Sequence, residues 1–125
     1  MIEHKDIKRI TMRLPFPPSV NNYWRKNPRG MYLTKSALDF KLFTIEVVGH
    51  RTEPIYKDEE LKIEMYLSPP DNRRRDLDNF AGKAIFDSLM NAQVFTDDSQ
   101  IKIIESKFVK PNGERGYCDI TLENL

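Results

Sequence analysis

The chain contains little sulfur and little imidazole. Its 125 residues include one cysteine and two histidines. A single thiol cannot close an internal disulfide, and three such side chains are too few for a four-ligand zinc site of Cys and His. Any metal ion that the protein binds must therefore be held by oxygen ligands.

Long apolar runs are also missing. No stretch approaches the roughly 20 apolar residues that a helix needs to cross a bilayer, and residues 1–6 carry no apolar core of a signal peptide. The length suffices for one hydrophobic core but not for two. These absences predict a single domain over residues 1–125, located in the cytoplasm and without membrane contact.

The net charge of +1 hides an uneven distribution of sign. Residues 1–57 carry 11 Lys and Arg against 5 Asp and Glu, whereas residues 58–125 carry 9 against 14. A basic surface and an acidic cluster can therefore coexist, as an enzyme that binds both phosphate and metal requires. The same imbalance can also arise by chance.

Residues 71–79, with the sequence DNRRRDLDN, place three arginines directly before two aspartates. In an extended chain Asp76 and Asp78 point to the same side, because side chains there repeat every two residues. Mg²⁺ prefers carboxylate oxygens and completes its shell with water and substrate phosphate. The three arginines, whose planar guanidinium groups suit phosphate oxygens, are Arg73, Arg74 and Arg75. The stretch indicates a site for a metal ion and a phosphate.

The same nine residues also have a purely structural interpretation. Asp78 or Asn79 can cap the helix that follows, and the arginines can form a solvated turn paired with nearby acids. Taken alone, the stretch supports both interpretations about equally.

Hydrophobic periodicity predicts two helices and four strands. The predicted elements are a strand at 10–14, a helix at about 35–51 capped by Thr34, a strand at about 61–67, a helix from directly after Asn79 to about 91, a strand after 100, a turn at 111–113 and a strand at 117–122. A change of alternation between Ile103 and Ile104 indicates a β-bulge, and Cys118 is predicted to be a small core residue. The apolar face of the first helix is predicted to comprise Leu38, Leu42 and Ile45, flanked by Phe43 and Val47.

Residues 19–26 form a predicted polar loop that combines aromatic, amide and cationic side chains. Such a mixture can stack bases and bind phosphates. Alternatively, Tyr23 and Trp24 anchor the loop on the core, and this interpretation is favoured for at least one of them.

Asp97 and Asp98 follow the second helix, which begins near Asp76 and Asp78. A helix of about 12 residues is about 18 Å long, so the later acids reach the earlier pair only if the chain folds back over residues 92–96. The sequence permits this convergence without requiring it.

This combination of motifs resembles the RusA family of Holliday junction resolvases. The resemblance spans residues 10–122 and rests on LPFPPS at 14–19 with Asn21, Tyr23 and Arg25, RRRDLDN at 73–79, KAIFDSL at 83–89 and DDSQ at 97–100. It implies an α+β fold, a two-layer β-α-β-α-β-β domain with a mixed sheet and two helices, which forms a homodimer. It also implies an endonuclease that cuts four-way DNA junctions in recombination and repair, uses Mg²⁺ or Mn²⁺ and is often encoded by phages or prophages of bacteria.

The resemblance assigns roles to individual residues. Asp76, Asp78 and Asp98 match the metal-binding aspartates, and Lys83 matches the catalytic lysine. The residues expected to bind DNA are Asn21, Tyr23, Trp24, Arg25, Arg73, Arg74 and Arg75.

One departure from the family pattern concerns Lys83. The family lysine usually follows the second aspartate by four residues, whereas Lys83 follows Asp78 by five. The later segments keep their register, so the extra residue is expected at the helix start, where Gly82 permits irregular backbone. An extra residue inside the helix would instead turn Lys83 away by about 100°.

The predicted function is metal-dependent hydrolysis of phosphodiester bonds at Holliday junctions. Asp76, Asp78 and Asp98 would hold the metal, while Lys83 would stabilise the pentacovalent phosphate. A two-fold dimer suits a junction, which has two equivalent strands to cut. The alternatives are a non-catalytic DNA-binding protein whose acids are caps or hold a structural cation, and a nuclease for other branched DNA.

Overall fold

The computed structural model describes residues 7–111 and 115–125. The predicted turn at 111–113 therefore lies mostly outside the described residues, as do residues 1–6. The elements are β1 (Arg9–Pro15), β2 (Trp24–Asn27), β3 (Gly30–Leu33), α1 (Lys35–Val48), β4 (Leu61–Ser68), α2 (Lys83–Asn91), β5 (Ile101–Phe108) and β6 (Tyr117–Asn124).

Four strands form one mixed sheet in the order β1-β6-β4-β5. Strand β6 runs antiparallel to both of its neighbours, whereas β5 runs parallel to β4. Helix α1 packs against α2 and β1. This two-layer arrangement confirms the predicted α+β class with a mixed sheet and two helices. Within residues 7–111 and 115–125, no helix is long and apolar enough to cross a membrane.

The core lies between the sheet and the helices. Along β4, Leu61, Ile63, Met65 and Leu67 are fully buried, because alternate residues of a strand face the same side. Cys118 is also fully buried, as predicted for a core residue. Burial raises the pKa of its thiol to about 12.

Helix α1 begins as predicted. The side chain of Thr34 accepts a hydrogen bond from the backbone N–H of Ala37 at 3.2 Å, which caps the first turn. The helix ends at Val48, three residues before the predicted end, because Gly49 adopts a positive φ of 93°.

The predicted apolar face of α1 is wrong except at Ile45, which is partly buried and packs against the core. The side chains that this helix buries are those of Ala37, Phe40 and Thr44. Four side chains that were expected in the core are instead between 41% and 61% exposed. They are those of Leu38, Leu42, Phe43 and Val47. The helix carries apolar residues on both sides, so periodicity alone could not decide which side meets the sheet.

A hairpin that was not predicted begins near the end of the predicted loop at 19–26 and continues beyond it. Strands β2 and β3 pair antiparallel, with Arg25 opposite Tyr32. In the turn between them, the side chain of Asn27 accepts a hydrogen bond from the Arg29 N–H at 2.8 Å, and Gly30 has a φ of 122°. The strands are too short to show alternation in the sequence.

The predicted bulge is confirmed in β5, slightly earlier than expected. The pairing with β4 passes from Ile101 directly to Ile103, so Lys102 is the extra residue. After the bulge, Ile104 lies opposite Ile63 and therefore shares its face of the sheet. This face is the one that the helices cover over β4.

Candidate metal and DNA site

The loop between β4 and α2 carries the predicted metal ligands. Asp76 is extended, with φ −91° and ψ 130°, and a 3₁₀ turn follows at Leu77–Asn79. The expected extended geometry of the Asp-x-Asp segment therefore stops at its first aspartate. Asp76 makes no side-chain capping hydrogen bond, and the residue that caps α2 is Gly82. The interpretation of Asp78 or Asn79 as the cap of this helix is wrong.

Asp76 and Asp78 nevertheless line one open cleft of about 730 Å³. Both residues are exposed. The far wall comes from the carboxyl-terminal half of β5, through Ser106 and Phe108. Two exposed carboxylates and a hydroxyl in an open cleft suit a hard cation that keeps several water ligands.

Asp76 also lines a second cavity of about 400 Å³ on its other side. The remaining residues around this cavity are Ser19, Asn21, Arg74, Arg75, Asn79 and Phe80. The fold thus brings the segment before β2 to the segment after β4. Three residues with predicted DNA-binding roles meet here beside a predicted metal ligand.

Asp98 lies at the opposite end of β5 from this cleft. It begins the 3₁₀ turn Asp98–Gln100, directly before the strand. The amide of Gln100 fixes this turn to residues that precede β4, donating hydrogen bonds to the carbonyls of Tyr56 and Glu59 at 3.3 and 3.1 Å. Asp98 is therefore held beside the start of β4, whereas Asp76 follows its end.

The length of β5 separates the two sets of carboxylates. From Ile101 to Ser106 the strand spans about 16 Å. Among the described residues, no three Asp, Glu, His or Cys side chains form a group that could hold a metal ion. One protomer therefore does not bring Asp98 together with Asp76 and Asp78.

Asp97, the neighbour of Asp98, has a structural role. Its side chain accepts a hydrogen bond from the Ser99 N–H at 3.0 Å, and Gln100 completes a capping box. Hydrogen bonds from Ser99 lower the pKa of the Asp97 carboxyl. The carboxylate is thus engaged in holding the turn.

Lys83 is the first residue of α2. The preceding Gly82 has a φ of 147°, so the irregular backbone expected for the extra residue lies before the helix, as predicted. The ammonium of Lys83 lies 3.0 Å from Asp87 Oδ2. Lys83 lines neither of the two cavities that Asp76 borders.

The three consecutive arginines differ in their surroundings. Arg75 is only 8% exposed and forms an ion pair with Asp71 at 2.9 Å. Arg73 also pairs with Asp71, at 3.3 Å, but is 79% exposed. Arg74 is exposed. Arg73 and Arg74 therefore present their guanidinium groups to solvent, whereas Arg75 is built into the loop.

Tyr23 and Trp24 also differ in their exposure to solvent. Tyr23 is 1% exposed, so neither face of its ring is available to stack on a DNA base. Tyr23 therefore anchors the loop on the core. Its hydroxyl donates a hydrogen bond to Asp87 Oδ2 at 3.1 Å. Trp24 is 41% exposed. Arg25 is exposed and donates a hydrogen bond to Asn22 Oδ1 at 2.8 Å.

Asp87 and Ser106 are two polar residues near the site that were not predicted to take part in it. Asp87 follows Lys83 by four positions on a helix, a spacing that signals a side-chain pair. Ser106 has no such signal, because only the pairing of β5 with β4 brings it to the cleft.

The chain is similar in sequence to known proteins over most of its length. The family model described as Endodeoxyribonuclease RusA matches residues 15–122. The chain belongs to the RusA family. It is 33% identical over 115 residues to the crossover junction endodeoxyribonuclease rusA of Enterobacteria phage HK97, covering 90% of this chain and 94% of that protein.

Bacterial and phage members of the RusA family show the same extent of similarity. The crossover junction endodeoxyribonuclease RusA of Escherichia coli strain K12 is 30% identical over 116 residues, covering 92% of this chain and 94% of the relative. That of Enterobacteria phage 82 is 31% identical over 113 residues, covering 90% and 92%.

Proposed function

We propose that this member of the RusA family is a crossover junction endodeoxyribonuclease that hydrolyses phosphodiester bonds at four-way DNA junctions in recombination and repair. The observation that carries the proposal is the placement of Asp76 between two cavities. On one side it shares a cleft with Asp78, and on the other it meets Arg74 and Asn21. A metal ion and a DNA phosphate can therefore lie next to each other. The proposed setting is the cytoplasm of a bacterium, with a phage or prophage gene as the source.

Asp76 and Asp78 would hold Mg²⁺, with Mn²⁺ as a substitute. When bound, such an ion activates a water molecule and stabilises the charge on the leaving oxygen. Arg74 would bind a neighbouring phosphate through its guanidinium group. Asn21 adds a neutral hydrogen-bonding group to the same cavity, which positions the DNA backbone without adding charge.

The function is proposed to belong to a homodimer that forms along β5. This strand is an edge of the sheet, and residues 102–105 are exposed. Ile103 and Ile104 are 42% and 54% exposed on opposite faces. A long edge strand with exposed apolar side chains favours pairing with another chain. The other edge, β1, is protected by Arg9 and Arg13, which form ion pairs with β6.

A two-fold axis beside the middle of β5 would complete the metal site. Such an axis exchanges the two ends of the strand, so Asp98 of the partner subunit would approach Ser106 and Phe108, which border the Asp76 cleft. In an antiparallel pairing centred on Ile103, residue 98 of one chain lies opposite residue 108 of the other. The third carboxylate of each site would then come from the other chain.

Cleavage of a labelled four-way junction, with and without Mg²⁺, tests the proposed function. We expect paired cuts with Mg²⁺ and binding without cleavage in EDTA. Asp76→Asn should abolish cleavage but not binding, because it removes a metal ligand and also some repulsion of phosphate. Binding without cleavage under all metal conditions would favour the DNA-binding alternative. Faster cleavage of flaps or replication forks than of four-way junctions would indicate a nuclease for other branched DNA.

A further inference from the structure

Two donors from different parts of the chain converge on one carboxylate oxygen of Asp87. The ammonium of Lys83 lies 3.0 Å from Oδ2, and the hydroxyl of Tyr23 donates to the same atom at 3.1 Å. The Asp87 side chain is only 16% exposed, whereas that of Lys83 is 49% exposed. The carboxylate therefore lies under the lysine, in contact with the buried ring of Tyr23.

Tyr23 fixes the N-terminal segment as well as meeting Asp87. Its N–H donates to the carbonyl of Val20 at 3.3 Å, and its carbonyl accepts from the N–H of Thr34 at 3.0 Å. Asn21 lies two residues earlier and lines the cavity beside Asp76. A continuous set of contacts thus joins Lys83 to this cavity through Asp87, Tyr23 and the backbone.

A purely structural role does not account well for the charge of Asp87. An i,i+4 ion pair contributes little to the stability of a helix, and a lysine placed before the acid is the weaker orientation. A neutral acceptor would also give the Tyr23 hydroxyl a hydrogen-bond partner. The mostly buried carboxylate carries a desolvation penalty. Holding the ammonium of Lys83 in one position explains why a charged group is present.

We propose, on the basis of the nuclease function above, that Asp87 is a positioning residue for Lys83. It holds the ammonium on the side of α2 where the segment carrying Asn21 packs. Without Asp87, the long lysine side chain would sample many rotamers, and the fraction held in its present orientation would fall. Burial, together with the charge of Asp87, raises the pKa of the Tyr23 hydroxyl, so this group stays protonated and able to donate even in alkaline solution.

A double-mutant cycle tests this proposal. Single-turnover cleavage of a four-way junction is measured with Mg²⁺ at saturating protein, and junction affinity is measured in EDTA. We expect Asp87→Asn to lower the cleavage rate about 10- to 100-fold while leaving the affinity unchanged. In protein that already carries Lys83→Ala, the same change should have no further effect, because the group that it positions is gone.

A matched control and a conservative variant complete the test. Asp39→Asn breaks the equivalent i,i+4 pair of α1, in which Lys35 lies 2.9 Å from Asp39, and should leave cleavage unchanged. Asp87→Glu keeps the charge and should retain more activity than Asp87→Asn. If Asp87→Asn does not fold, the cycle is run with Asp87→Glu, whose smaller loss should also vanish with Lys83→Ala.

The outcomes separate this inference from the proposed function. Wild-type rates in the Asp87 variants, or equal losses with and without Lys83, would overturn the positioning role alone. If the unsubstituted protein cut no junction, the proposed function would fall and the positioning role with it.

Discussion

Arg75 and Asp71 form an ion pair that closes the basic loop on itself. Arg75 Nη2 lies 2.9 Å from Asp71 Oδ1, and Nη1 donates to the carbonyls of Asp71 and Arg73 at 3.1 and 3.2 Å. The guanidinium also lies over the ring of Phe16 at 5.6 Å. These contacts use three of the five N–H donors of the guanidinium group. They divide the three consecutive arginines into one that shapes the loop and two that face solvent.

The arginines should therefore respond differently to substitution. We expect Arg73→Ala and Arg74→Ala to weaken junction binding and to reduce the slope of log affinity against log salt by about one per lost contact. Arg75→Ala should instead lower the midpoint of urea unfolding. Binding titrations at several salt concentrations, with Lys41→Ala as a control on α1, measure the first effect. Equal loss of slope for all three arginines would contradict the division.

Mixing two inactive variants distinguishes a shared metal site from one made within a single chain. We expect Asp76→Asn and Asp98→Asn each to be inactive as homodimers. If the sites are shared, both substitutions of a mixed dimer fall in one site and the other site is intact. Nicking activity should then return, with up to half of the sites in the mixed dimers active. With sites made within one chain, both sites of the mixed dimer would remain damaged. Subunit exchange followed by a nicking assay gives the answer.

The edge of β5 should control assembly. We expect Ile104→Lys to shift the protein toward monomer and to reduce cleavage, because it places a charge in the proposed interface. Leu42→Lys is a matched control, since Leu42 is 61% exposed on α1, away from β5. Sedimentation velocity measures both variants. If Leu42→Lys dissociated the dimer and Ile104→Lys did not, the interface would lie on α1.

Gly82 should be sensitive to substitution although there is space around it. An added Cβ would meet nothing within 4 Å, but the φ of 147° is rare for residues with side chains. We expect Gly82→Ala to lower the free energy of unfolding by about 1–3 kcal/mol. Asn91→Ala, an exposed change at the other end of α2, should alter it by less than about 0.5 kcal/mol. Urea denaturation compares the two variants.

The stability of the fold should decrease at alkaline pH. Burial, followed by the charges of Glu59 and Glu123, raises the pKa of Tyr56 from 10.0 to about 12. The Tyr56 hydroxyl therefore loses its proton at a lower pH in the unfolded chain than in the folded one. Above about pH 10, the folded state binds more protons than the unfolded state. The free energy of unfolding should fall there by up to about 1.4 kcal/mol per pH unit for each such group. The buried thiol of Cys118 adds a decrease of the same sign from about pH 9.

Urea denaturation between pH 8 and 11 measures this dependence. Tyr56→Phe should cost about 1 kcal/mol at neutral pH through the lost hydrogen bond, which the hydroxyl donates to the Lys8 carbonyl at 2.7 Å. The variant should also show a smaller alkaline slope. An unchanged slope would mean that the Tyr56 hydroxyl ionises at the same pH in both states.

Much of the fold could be predicted because alternation and helix caps are local signals. The strand at Leu61–Ser68 and the Thr34 cap are examples. The buried side of α1 could not be predicted, since Phe40 and Leu42 are equally suitable for a core and only tertiary packing selects one. The hairpin was missed because four-residue strands are too short for a periodic signal.

The site could be predicted residue by residue but not in its arrangement. The carboxylates and arginines are recognisable from their chemistry and spacing. Their separation depends on the parallel pairing of β5 with β4, which places Asp98 beside the start of β4 and Asp76 after its end. Similarly, the sequence offers Arg75 several acidic partners, and only the folded loop selects Asp71.

The length of β5 has a geometric consequence for the reaction. If the axis of the dimer passes beside the middle of this strand, the two cutting centres lie near its opposite ends. Eight residues of strand span about 26 Å, so the length of β5 would set the distance between the two scissile phosphates. A junction that offers two scissile phosphates at this separation would be cut on both strands in one encounter.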